Sequence, residues 1–192
     1  MKTKALNILI LLLIGVAAWQ RGRIYKSQNN PTDYTFLDEE GLYHDFNLFN
    51  DGRIFPIKSV ADYKGYQHRF DSIAQSTDLF VFMDMAGCPP CREMVFKQMD
   101  RFLDNNPDTS ISILVKSMRS RDMFVMEKEF KNKYRFFMID TIPFNSPEKN
   151  DEILSPVFFR IDKNIAMNNC YMTEISNEKG LTDYLESFRN IK

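Results

Sequence analysis

Two apolar runs of strand length, LFVFM at 79–83 and ISILV at 111–115, flank a stretch in which apolar residues return at helical spacing. An apolar run without alternation fits a strand covered on both faces. Between the runs Cys91, Val95, Met99, Phe102 and Leu103 share one helical face, and NNPD ends that helix at Pro107. Beyond ISILV, Met123, Met126, Phe130 and Tyr134 mark another helix, and RFFMID returns as a strand. VFFRID and IAMNNCYM pair as a hairpin about DKN, and Leu181, Leu185 and Phe188 carry a last helix. Upstream, Tyr63, Tyr66, Phe70 and Ile73 recur at helical spacing across Gly65. YTFLDEEGLY and DFNLFNDGRIF each step through acidic or Asn-Asp residues into Gly, which predicts two hairpins. The order β-α-β-α-β-β-α defines an α/β sandwich, with no internal repeat.

The amino-terminal pattern is different. Ala5 to Gln20 carry no charge, behind Lys2 and Lys4 and ahead of Arg21 and Arg23. As a helix these residues span about 24 Å, short of a hydrocarbon core of roughly 30 Å. Residues 1–20 therefore read as a signal peptide or membrane anchor. Val16 and Ala18 would suit a cleavage site, but Trp19, Arg21 and Arg23 follow at once and favour an uncleaved anchor. No cysteine precedes Cys88, so a lipid-modified cysteine is not expected. Residues 21–34 read as a polar linker and 35–192 as one domain with a hairpin extension over 35–60. The domain is expected outside the cytoplasm, where disulfide chemistry is allowed.

Composition narrows the function. The chain has 192 residues, 44 % of them hydrophobic and 17 of them Phe, enough for one well-packed domain. A formal net charge of -1 with no basic stripe argues against a nucleic-acid partner.

The candidate chemistry sits where LFVFM ends, in MAGCPPCREM (85–94). A redox dithiol, half of a metal site and two buried thiols near a turn are the alternatives. Zinc needs four ligands, typically in paired motifs, and the chain offers one C-x-x-C with only His44 and His68, so no metal site or cofactor is expected. Residues at i and i+3 of a helical turn lie about 5 to 6 Å apart, within the range a disulfide needs. Proline is tolerated in a first turn, and Pro90 disfavours helical backbone at Pro89, which places the helix start near Pro90 with Cys88 just outside it. Cys88 then faces the positive end of the helix dipole, which favours thiolate and marks it as the nucleophile. Cys91, one turn in on the apolar face, is the resolving thiol. Asp84 either relays protons or caps the loop, Arg92 either adds local positive charge or is a solvated helix residue, and Cys170 reads as a small buried residue first and a regulatory thiol second.

A strand ending at C-x-x-C, a helix starting inside the motif and a later Pro opening a terminal hairpin resemble the thioredoxin fold. ISILV, its following helix, RFFMID and SPVFFRIDKN are similar in order and spacing to membrane-tethered thioredoxin-like oxidoreductases of the TlpA/ResA type over residues 78–190. The chain departs from that pattern at Met85–Gly87, where the family usually has Trp before the first cysteine, and at Phe82, where many members bury an acid or amide. The resemblance implies a three-layer sandwich around a mixed sheet and a thiol-disulfide oxidoreductase on the periplasmic side of the bacterial inner membrane. Its partners would be protein disulfide substrates and an upstream electron donor. It also implies that Ser155 and Pro156 meet the substrate through a cis Ser155–Pro156 bond facing the dithiol. A non-catalytic binding module and a thiol peroxidase are the alternatives; the latter is disfavoured because Met85 stands where peroxide-reducing relatives have Thr.

Overall fold

β3 (Leu79–Asp84) is buried at every one of its six positions, as its unbroken apolar sequence requires. The computed structural model describes residues 46, 49–130, 132–145, 156–173 and 177–189. The charge-free stretch 5–20, YTFLDEEGLY and Ser155 lie outside these residues. Among the described residues no helix is long and apolar enough to cross a membrane.

The described strands form one sheet in the order β2-β1-β5-β4-β3-β6-β7. Here β1 is Ser59–Ala61, β2 Gln67–Arg69, β4 Ile111–Lys116, β5 Arg135–Met138, β6 Val157–Ile161 and β7 Met167–Met172. β3, β4 and β5 run parallel, joined by helices α2 (Pro89–Asn105) and α3 (Ser120–Glu129). The other pairings are antiparallel, so the sheet is mixed. A short helix, α1 (Phe70–Ala74), precedes β3, and α4 (Glu178–Arg189) follows β7. Element and sheet order agree with the thioredoxin-like architecture expected from the resemblance.

Alternation along the strands creates two cores. Leu79, Val81 and Met83 pack with Ile111, Ile113, Val115 and Phe136 beneath α2, α3 and α4, through Val95, Met99, Met123, Leu181 and Leu185. Phe80 and Phe82 face the opposite way, against α1 and the chain around Phe46 and Phe55. That second core is largely aromatic. The Phe159 ring lies 5.4 Å from Phe80, 5.6 Å from Phe55 and 5.2 Å from Phe144, centroid to centroid. Asn50, fully buried, ties Phe46 to Asn145 by donating to both carbonyls and accepting the Asn145 amide.

Three local expectations are corrected. Phe46, Phe49 and Asn50 have helical rather than hairpin backbone, and among the described residues of DFNLFNDGRIF only Ile54 makes a β-bridge, to Ala166. The aromatic spacing of Tyr63 to Ile73 does not make one helix. The Asp62 carboxylate accepts the Lys64 and Tyr66 amides, and Gly65 takes φ +84°, which closes a turn between β1 and β2 and leaves α1 only from Phe70. α3 stops at Glu129, so Tyr134 lies in the turn before β5, where its hydroxyl donates to Asp100 on α2.

Phe159→Ala is expected to cost about 3–5 kcal/mol, the usual loss for emptying a buried Phe site. Urea unfolding checks this through a lowered midpoint at unchanged slope. A cost below about 1 kcal/mol would show that the aromatic core closes over the cavity, contrary to the close packing described.

Candidate active site

The parallel strands β3, β4 and β5 all end at the same edge of the sheet, and the chain leaves β3 there as Met85-Ala86-Gly87-Cys88. Cys88 is the N-cap of α2, with φ -67° and ψ 103°, and Pro89 and Pro90 fill the first helical positions. The helix thus begins one residue earlier than expected. A proline ring presets φ for the first helical position, and its missing N–H leaves nothing unpaired there.

Cys88 and Cys91 are joined as a disulfide with Cα atoms 5.3 Å apart. The two sulfurs differ in access. Cys88 is half-buried, whereas Cys91 is 3 % exposed on the core side of α2. The Cys91 amide donates to Cys88 Sγ at 3.2 Å, so an otherwise unpaired amide of the first turn is aimed at that sulfur. On reduction the same amide and the positive helix end favour a thiolate at Cys88.

Asp84 terminates β3 at 7 % exposure. Its carboxylate accepts the Ala86 amide at 2.9 Å and an ion pair from Lys116 Nζ at 3.1 Å. Lys116 is its register partner on β4. Burial opposes ionisation of Asp84, but the Ala86 amide, Lys116 and Ser117 outweigh it and hold the carboxyl below its usual value. Of the two roles read from sequence, the structure displays the loop cap. From the far side of the loop, Arg92 Nη1 donates to the Met85 carbonyl at 2.5 Å, so Arg92 is not merely solvated. Neither Lys116 nor this use of Arg92 was legible beforehand, because both depend on strand register and loop path.

Continuing the β3–β6 register by one step sets Pro156 beside Met83, at the dithiol edge of the sheet. Pro156 is buried, and its carbonyl accepts both the amide and the hydroxyl of Thr173. The Ser155–Pro156 bond lies outside the described residues. Cys170 is 1 % exposed, and burial together with the Asp51 carboxylate pushes its thiol up, as befits a packing residue. His68 meets Asp62 at 3.0 Å at the partly exposed β1–β2 turn, where it serves structure, while His44 lies outside the described residues. Among the described residues, no group of three or more His, Cys, Asp or Glu could hold a metal ion.

No family model matches the chain, and no curated protein matches it. Solved structures do resemble it. A thiol peroxidase from Chromobacterium violaceum is 12 % identical over 73 % of this chain and 88 % of its own, with a TM-score of 0.49. A thiol:disulfide interchange protein of the thioredoxin family from Chlorobium tepidum TLS is 14 % identical over 71 % and 97 %, with a TM-score of 0.48. A SCO1/SenC family lipoprotein from Bacillus anthracis str. Ames is 12 % identical over 74 % and 96 %, with a TM-score of 0.46. Likenesses this distant carry neither activity nor substrate across, and the chemistry rests on the site itself.

The lowered carboxyl of Asp84 has a signed consequence for stability. A carboxylate held below its unfolded value of about 3.9 stabilises the fold above that pH, and the contribution disappears as pH falls through the folded value. The stability gap between wild type and Asp84→Asn should therefore be flat from pH 6 to 8 and narrow below about pH 4. Urea titrations across this range measure it, and a gap that widened toward acid would reverse the assigned direction.

Proposed function

We propose that the protein is a thiol-disulfide oxidoreductase acting on disulfides of partner proteins, with Cys88 attacking and Cys91 resolving. The observation that carries this reading is the asymmetry of the pair: a half-buried sulfur at a helix amino end, receiving an amide hydrogen bond, next to a buried one. The reduced Cys88 thiolate attacks one sulfur of a substrate disulfide, forming a mixed disulfide and releasing one substrate thiolate. Cys91, as thiolate, then attacks the Cys88 sulfur. The second substrate thiolate leaves, the Cys88–Cys91 disulfide forms, and two electrons have passed to the substrate. An upstream dithiol donor restores the pair. Reduction, rather than oxidation, follows from the resemblance to the TlpA/ResA type.

Loop length argues against the disulfide as a mere staple. Closing so short a loop as Cys88–Cys91 restrains the unfolded chain by only about 2 kcal/mol, a modest return for two cysteines placed at a helix start. Ser155 and Pro156 are assigned to substrate contact on the family resemblance, and for Pro156 the β3–β6 register continued by one step, to Met83, supports the assignment. The site is proposed to work on the periplasmic side of the membrane, held there by residues 1–20, on the strength of the charge-free stretch Ala5 to Gln20.

Cys88→Ser is expected to abolish insulin reduction, whereas Cys91→Ser should accumulate partner proteins as covalent adducts on Cys88, visible on non-reducing gels. Adducts carried by Cys91 instead would invert the roles, and unchanged turnover in both variants would leave a binding module. For location, a tagged full-length protein should remain with membranes after high-salt washing. Its recovery in the cytosolic fraction would sink the compartment.

A further inference from the structure

Of the three residues between β3 and Cys88 only Met85 packs against the helix-side core, and it does so partly buried, while Ala86 is exposed and Gly87 half-buried. Yet their backbone polar groups are tied down from two sides. The Met85 amide donates to the Lys116 carbonyl at 3.0 Å and the Gly87 amide to the Asp84 carbonyl at 3.0 Å. The Ala86 amide donates to the Asp84 carboxylate, itself fixed by Lys116. The Met85 carbonyl accepts from Arg92, which belongs to the first turn of α2. One charged group therefore anchors the loop to the sheet, and another anchors it to the helix whose amino end receives Cys88.

We propose that Asp84 and Arg92 are positioning residues that clamp Met85–Gly87 between β3 and α2, and thereby keep the reduced Cys88 sulfur at the α2 amino terminus. The inference rests on the reading of Cys88 as the attacking thiol. In the disulfide the Cys91 sulfur holds Cys88 in place. Once that bond is reduced, this restraint is gone, and the clamp is what retains the amide contact to Cys88 Sγ. A hydrogen bond to a charged group is strong enough that its loss changes the thiolate population by about tenfold. Neither residue touches substrate in this scheme. Both act through the loop.

The test uses the reduced full-length protein, comparing wild type with Arg92→Met and Asp84→Asn. Two quantities are read: the rate at which iodoacetamide alkylates Cys88 at neutral pH, by peptide mass spectrometry, and hydrogen exchange at the Ala86 and Gly87 amides. Arg92 lies on the partly exposed side of α2, so Arg92→Met is the variant expected to fold normally. It should slow alkylation about tenfold and speed exchange of both amides by a similar factor. Asp84→Asn keeps an oxygen for Ala86 but loses the ion pair, and should move both readouts in the same directions by less. Slower alkylation with unchanged exchange would mean that Arg92 acts through charge alone, which overturns the clamp. Fast wild-type alkylation unaffected by either variant overturns it too. A wild-type Cys88 no faster than an unfolded cysteine would instead refute the nucleophile assignment, and this proposal with it.

Discussion

A strand covered on both faces leaves the chain little freedom until it reaches the edge of the sheet, and that constraint on β3 governs the rest of this molecule. Phe80 and Phe82 lock one face into an aromatic core, while Leu79, Val81 and Met83 lock the other beneath the helices. β4 fixes β3 in parallel register over its whole length, from Leu79 with Ile111 to Asp84 with Lys116. The exit point is therefore set by packing, and the dithiol is set by the exit point. With interiors as dense as organic crystals, small shifts of such a strand are not available.

From that fixed edge the chemistry follows by short steps. A polar group buried at a strand end must be paired, and Asp84 is paired with Lys116 and with the loop it precedes. The loop delivers Cys88 to a helix start whose first positions are prolines, so backbone N–H donors are missing there until Cys91. Its amide is thus directed at the Cys88 sulfur. The same turn carries the Cys91 side chain into the core side of α2. One half-buried and one buried sulfur arise from a single helical geometry, the division that the proposed roles of attacking and resolving thiol require.

Much of this was legible in the sequence because it depends on local pattern. LFVFM and ISILV announce buried strands through apolar runs, and the C-x-x-C falls at a strand-to-helix junction that periodicity alone locates. The failures share a cause. Tyr63, Tyr66, Phe70 and Ile73 keep helical spacing, yet the Asp62 side chain competes for the Lys64 and Tyr66 amides and turns the chain instead. Phe46 and Phe55 look like hairpin residues but are recruited by the aromatic core around Phe159 and Phe144. The site itself was only partly readable. Asp84 could be named as either cap or relay, whereas its partner lies 32 residues away and meets it only through the β3–β4 register. Arg92 was equally hidden, because its role depends on where a loop carbonyl points.

The central claim is that the Cys88–Cys91 pair is a working redox couple and not a structural bond. Its reduction potential tests that most directly, measured by equilibrating the purified protein with glutathione buffers of defined poise. A value between about -270 and -120 mV, the span of thioredoxin-fold oxidoreductases, is the result expected. A value below about -300 mV, the range of structural disulfides, would contradict the claim.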